Sequence, residues 1–245
     1  MTYPLVISHR TNMGTMPENT LAGIEAAVRD GADAVEIDVR ATQDGRVVLL
    51  HDATLARTTG DARVLVDISA HDLAGVHTQP VGDVPPQPVP SLAEALDCLA
   101  GRGILVVEIK QRGIHEAVAA EIRAAAAAGW CWIWAFDPEV GFACRAALPD
   151  VPVGLNVQRG SLERYGYTDD PVALAVRHGF AAVSLSDDLV DPSSVGAAHR
   201  RGLAVYTWTV DQASEVTRVC DAGVDAICTN FPRRVNTTLG RSVGG

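Results

Sequence analysis

Positive charge is in short supply in this chain: 20 Lys and Arg face 30 Asp and Glu, a formal net charge of −10. A general nucleic-acid or anionic-membrane surface needs a basic face, so neither is expected as a partner. An anionic small molecule can still be served by a local cluster of cations or a metal. No apolar run approaches the ~20 residues that span a bilayer. No basic segment or cleavable signal precedes the apolar stretch that follows Met-Thr-Tyr-Pro. The five cysteines (Cys98, Cys131, Cys144, Cys220 and Cys228) are scattered, without C-x-x-C spacing. They read as small buried residues of a reducing compartment. Together these absences predict a soluble, cytoplasmic protein.

Aromatic residues are few, at 5 %, while apolar residues make up 47 % with long alanine-rich runs. That composition suits a helix-rich globular core rather than disorder. At 245 residues the chain exceeds the usual single-domain length, but α/β barrels reach this size as one unit. A single domain over residues 1–245 is expected.

Residues 34–60 carry the densest chemistry. Two apolar strands are joined by Asp44-Gly45, a strong hairpin signal. With those two residues as the loop, facing positions sum to 89, which sets His51 opposite Asp38 in a non-hydrogen-bonded pair, side chains close. Glu36 lies two residues before Asp38, so both carboxylates share one strand face. Solvent-facing acids on an alternating strand would give the same pattern. Against that, two acids flanking Ile37 repel unless a cation sits between them, and such a pair suits a hard divalent ion. A bulge at Gly45 would slip the register by one and turn His51 away.

Along the chain, residues 5–9 read as a buried parallel strand. A helix over residues 17–30 follows, ended by Gly31. After the hairpin, residues 61–90 are rich in proline and lack periodicity, a loop or small subdomain within an insertion of about residues 53–90. Ser91-Leu92-Ala93-Glu94 is a capping box opening a helix. Strands are expected at 104–110, 131–136, 153–156, 182–186, 204–210 and 226–229. A helix is expected over 114–128, and Asp137-Pro138, Asp170-Pro171 and Asp191-Pro192 are helix starts. Apart from the return arm of the hairpin, eight strands alternate with helices, the pattern of a (β/α)8 TIM-type barrel. An open doubly wound sheet is the alternative; no glycine-rich nucleotide fingerprint follows the first strand to support it.

A barrel places reacting groups at the C-terminal ends of its strands. There the sequence has His9 and Arg10, then Glu36 and Asp38, then Glu108 and Lys110, with Trp208 on the seventh strand and Thr229-Asn230 closing the last. His9-Arg10, Pro17-Glu18-Asn19-Thr20, Glu36-x-Asp38, His51-Asp52, Glu108-x-Lys110 and Trp208-Thr209-Val210 form an ordered set that resembles the glycerophosphodiester phosphodiesterases. The resemblance runs from the first strand to the last. It implies a metal-dependent phosphodiesterase on a TIM-type barrel, with Glu36, Asp38 and Glu108 holding one divalent cation and His9 and His51 as the acid–base pair. The cation would be Mg2+, Ca2+ or Mn2+, since all accept oxygen ligands.

The chemistry fits those roles. A phosphodiester resists attack because its oxygens are anionic and its alkoxide leaves poorly, and a bound divalent ion would relieve both. Arg10 offers a planar fork to phosphate oxygens and Lys110 a point charge. Two histidines can take a proton from the nucleophile and give one to the leaving oxygen; which does which is open. So is whether the nucleophile is water or the neighbouring glycerol hydroxyl. Trp208 either packs on the substrate or belongs to the core. Glu18 and Asn19 open a helix, or orient Arg10 from behind.

Two positions depart from the family pattern. Thr11 stands where a glycine usually follows His-Arg, and a β-branched residue does not easily adopt positive φ. That predicts a reshaped phosphate-side loop with a polar contact from Thr11 or Asn12. Asn230 stands where the family usually has an aspartate. The leading expectation is hydrolysis of a glycerophosphodiester to glycerol 3-phosphate and an alcohol. Alternatives are head-group removal from a lysophospholipid, for which Val64, Leu65, Val66 and Ile68 hint at an apolar channel, and a non-catalytic phosphodiester or sugar-phosphate sensor. Glycoside hydrolysis by Glu36 and Glu108 leaves Arg10, Lys110 and both histidines without a role.

Overall fold

Short, mostly buried apolar runs alternate with helices along the chain. The computed structural model describes residues 3–168 and 170–243; Met1, Thr2, Asp169, Gly244 and Gly245 lie outside the described residues. The strands are β1 (Leu5–Ser8), β2 (Ala34–Ala41), β3 (Val47–Leu49), β4 (Ile104–Ile109), β5 (Cys131–Ala135), β6 (Val153–Val157), β7 (Ala182–Ser186), β8 (Ala204–Trp208) and β9 (Ala226–Thr229). All but β3 are parallel neighbours in the order β1-β9-β8-β7-β6-β5-β4-β2, and β1 pairs with β2 to close the barrel. The TIM-type architecture is as expected.

The helices are α1 (Leu21–Arg29), α2 (Ala56–Thr59), α3 (Ala70–Leu73), α4 (Leu92–Leu99), α5 (His115–Ala124), α6 (Pro138–Ala147), α7 (Pro171–Arg177), α8 (Pro192–His199), α9 (Ala213–Ala222) and α10 (Pro232–Thr238). Asp137, Asp170 and Asp191 each cap a helix whose first residue is proline, and Ser91 and Glu94 close a capping box. Helix α1 begins later than the expected residue 17. Asn19 adopts a left-handed φ of 56° and Thr20 is the N-cap, so residues 17–19 form a loop instead.

Strand alternation decides what faces the barrel axis. Val35, Ile37 and Val39 of β2, with Leu105, Val107 and Ile109 of β4, pack outward against the helices. Ala34 and Val106, on the opposite faces, join Ile7, Trp134, Ala182, Tyr206, Ala226 and Cys228 in a separate interior cluster. Glu36, Asp38 and Glu108 share that inward parity. The apolar floor therefore ends where the carboxylates begin.

The hairpin departs from the expected register. Val39 faces Leu49, Arg40 faces Val48 and Ala41 faces Val47, so facing positions sum to 88. The cause is a three-residue connection, 43–45, with Gly45 left-handed at φ 84°, the bulged loop that follows two-residue turns in frequency. Asp38 thus faces Leu50, whose N–H donates to the Asp38 carbonyl. Strand β3 ends at Leu49, and the chain bends after Leu50, which brings His51 back to the rim.

Beyond the hairpin, Leu50, Leu55, Leu65, Ile68, Leu73 and Val76 bury one another in a small core of their own with Val48. All five cysteines are free, and Cys98 and Cys220 are only part-buried. Among the described residues no helix is long and apolar enough to cross a membrane.

Candidate active site

A cavity of about 800 Å3 opens at the C-terminal ends of the strands, and its wall includes His9, Arg10, Glu36, His51, Glu108, Lys110 and Trp208. Of the residues expected at the site, only Asp38 does not line it directly. Asp38 sits just behind, with one ligand oxygen each from Glu36, Asp38 and Glu108 within 4.8 Å of one another. The register that pairs Asp38 with Glu108 across β2 and β4 brings those two together.

All three carboxylates are buried. Burial pushes the Glu36 carboxyl well above the usual carboxylate range, and the charges of Asp38 and Glu108 push it further. Burial raises Glu108 more than Lys110 lowers it. For Asp38, burial works in the same direction, but Lys110, Arg10 and His51 together outweigh it and hold the group below its usual range. Glu36 Oε2 accepts the Arg10 N–H at 2.7 Å, while Glu36 Oε1 is buried with no hydrogen-bond partner. An orphaned anionic oxygen beside two further acids is the donor set a hard divalent cation takes.

The cations are held in place by the same acids. Lys110, the only lysine in the sequence, lies 3.2 Å from Asp38 Oδ1 and pairs with Glu108 Oε1. Its ammonium also stands 5.3 Å over the Phe136 ring. Arg10 Nε is 3.5 Å from Asp38 Oδ2, and its Nη1 donates to Glu18 Oε1 at 3.3 Å. Asn19 clamps Asp38 twice: Nδ2 donates to Oδ2 at 2.8 Å, and Oδ1 accepts the Asp38 N–H at 3.0 Å. Glu18 therefore orients Arg10, as one of its expected roles had it, whereas Asn19 serves the carboxylate.

Each histidine has a different partner on Nδ1. His51 Nδ1 lies 2.7 Å from Asp52 Oδ1. His9 Nδ1 lies 2.7 Å from the amide oxygen of Asn230. Burial and then the Arg10 guanidinium hold His9 below the ordinary imidazole value, against the pull of Asn230. Burial also lowers His51, against Asp38 and Asp52.

Trp208 is part of both wall and packing. Its Nε1 donates to the Ser184 carbonyl at 3.1 Å, and its ring meets Phe136 edge-on at 5.3 Å. Thr11 keeps the backbone expected of glycine, at φ 72°. Its buried hydroxyl turns away from the cavity, toward the Arg10 carbonyl and Gly23, and Asn12 Nδ2 donates to Asp30. Neither residue lines the cavity, so the expected polar contact from Thr11 or Asn12 is not made there.

Among the residues that escaped the sequence reading, two tie others together. Arg57, on α2 of the insertion, donates to both Glu18 oxygens at 2.7 and 2.8 Å and to Asp52 Oδ2 at 2.6 Å. It ties the acid behind Arg10 to the acid behind His51. Asp211, after β8, accepts from Asn230 and Thr229. Leu65 and Ile68 are enclosed in the insertion's own core, and none of residues 64–68 lines the cavity.

The model of the glycerophosphoryl diester phosphodiesterase family matches residues 9–234. A glycerophosphodiester phosphodiesterase of Caldanaerobacter subterraneus subsp. tengcongensis is 29 % identical, over 93 % of this chain and 94 % of its own. A Silicibacter pomeroyi structure, provisionally described as a glycerophosphoryl diester phosphodiesterase, superposes with a TM-score of 0.90 at 25 % identity, covering 99 % of this chain and 96 % of that one. An Oleispira antarctica phosphodiesterase in complex with the product sn-glycerol-3-phosphate shares the fold, with a TM-score of 0.81 at 24 % identity and 97 % coverage of each chain. With a match spanning the first site histidine to the last helix, the chain belongs to the glycerophosphoryl diester phosphodiesterase family and is a phosphoric diester hydrolase.

Proposed function

We propose that the enzyme hydrolyses glycerophosphodiesters to sn-glycerol 3-phosphate and a free alcohol, using His9 and His51 as its acid–base pair and a divalent cation held by Glu36, Asp38 and Glu108. The observation that carries this reading is the clustering of those three carboxylates, from two strands, at a cavity whose wall carries Glu36, Glu108, both imidazoles, Arg10 and Lys110. Bound there, the cation would supply charge neutralisation at the phosphate. Arg10 and Lys110 hold phosphate oxygens, the first as a fork and the second as a point charge. One histidine takes the proton of the attacking water as a new P–O bond forms. The other gives a proton to the head-group oxygen as the old P–O bond breaks. Trp208 and Phe136 offer apolar faces to the carbon atoms of the substrate.

The product bound in the Oleispira antarctica relative supports glycerol phosphate as the retained half. No observation favours the lysophospholipid reading, because Leu65 and Ile68 are enclosed in the insertion's own core and none of residues 64–68 lines the cavity. The test is release of glycerol 3-phosphate from glycerophosphocholine or glycerophosphoethanolamine. His9→Ala and His51→Ala should each lower kcat by roughly 10²–10⁴-fold. Wild-type turnover retained in both would contradict the assignment.

A further inference from the structure

We propose that Asp211 is a positioning residue of this site: through the Asn230 side chain it fixes which ring nitrogen of His9 carries the proton, and leaves Nε2 as the proton acceptor. The argument runs outward from Asp211, in the loop after β8. Its Oδ1 accepts the Thr229 hydroxyl at 2.9 Å and the Asn230 N–H at 2.8 Å, and its Oδ2 accepts Asn230 Nδ2 at 2.7 Å. A carboxylate only accepts, so the half of the Asn230 amide that faces it must be the NH2. An amide orientation is normally ambiguous; here a charged neighbour decides it. The amide oxygen is then turned to His9 Nδ1, 2.7 Å away. That oxygen is an acceptor only, so neutral His9 carries its proton on Nδ1.

The arrangement separates charge from orientation. An aspartate at position 230 would set a negative charge directly against the ring and favour imidazolium. Here the charge sits one amide further out, on Asp211, and the ring meets a neutral oxygen. Arg10, Asp38 and Lys110 are the charged groups that act on His9 from its own loop and from β2 and β4. His51, by contrast, has the Asp52 carboxylate directly on Nδ1, a pull toward the protonated ring that burial outweighs. Within the reaction proposed above, His9 is thereby equipped to accept the first proton, which leaves the second transfer to His51.

The tautomer can be read without turnover. Long-range 1H–15N correlation spectra at a pH above the His9 titration should show His9 as the Nδ1–H form, its signals assigned by their loss in His9→Gln. Asp211→Asn frees the Asn230 amide to flip, and should give a mixture of tautomers and a kcat loss of roughly tenfold or more with KM changed less than threefold. The double variant Asp211→Asn with Asn230→Asp restores every hydrogen bond with the charge moved onto the ring's partner. It should recover the Nδ1–H form and shift the His9 titration upward, and it stands in if the single variant does not fold. An Nε2–H ring in the wild type, or an unchanged tautomer in Asp211→Asn, would overturn the proposal. A wild type that turns over no diester but shows the tautomer shift would overturn the proposed reaction and leave the role of Asp211 standing.

Discussion

A Cβ built on Gly23 would overlap the Thr11 hydroxyl and Cβ, so these two positions are sized to each other. Thr11 holds a left-handed φ of 72°, which costs a residue with a Cβ roughly 1–2 kcal/mol, and its side chain fills the space against α1. Gly23→Ala should therefore destabilise the fold by about 1–3 kcal/mol through overpacking, and adding Thr11→Gly should recover most of it; urea midpoints of both variants check this. The His9 environment gives a second expectation. Its imidazole is held below the ordinary value of 6.5, by burial first and Arg10 second. A base must be neutral, so the acid limb of kcat/KM against pH should fall below 6.5. The linked stability has the same sign. His9 binds fewer protons folded than unfolded between its depressed value and 6.5, so its contribution is complete above 6.5 and is lost as pH falls through the depressed value. Thermal unfolding of wild type and His9→Gln across that window measures it.

The hairpin of β2 and β3 shows what element-level reasoning reaches. Same-face alternation placed Glu36 and Asp38 together, and that parity survives in the barrel interior. The register did not follow, because Gly45 takes the left-handed position of a three-residue loop, and no residue outside the turn records that choice. His51 reaches the cavity through a bend after Leu50, not through pairing with Asp38. Asn19 was expected to open the helix, yet it lies in the loop before the Thr20 cap, and its side chain serves Asp38 across 19 residues. Arg57 and Asp211 gave no local signal, since each acts only through partners supplied by other elements. Arg57 is about half exposed, so its ion pairs with Glu18 and Asp52 should add only ~1 kcal/mol to stability. Its larger effect should be on order at the site. Arg57→Ala should lower kcat more than it raises KM, and Arg57→Lys, which cannot bridge Glu18 bidentately, should recover little; steady-state kinetics on glycerophosphocholine check both.

At the scale of the whole molecule, the closed parallel barrel explains why a chain with a net charge of −10 can serve an anionic substrate. Its helices face the strands with apolar side chains, and the barrel floor is apolar too. Buried charge collects at one rim, where Glu36, Asp38 and Glu108 from two strands are only partly offset by Lys110 and Arg10. Burial first, and this concentration of acids second, raise Glu36 well above its usual range, a penalty that an added cation would relieve. The eight-strand alternation and the ordered rim residues were legible because each depends on spacing along the chain. Calorimetric titration of Mg2+, Ca2+ and Mn2+ into chelator-treated protein, paired with glycerol 3-phosphate release in the same samples, tests the central claim most directly. The account predicts one binding event per chain that restores lost activity and disappears in Glu36→Gln and Glu108→Gln. Full turnover in the chelated protein, or undiminished metal binding by both variants, would contradict it.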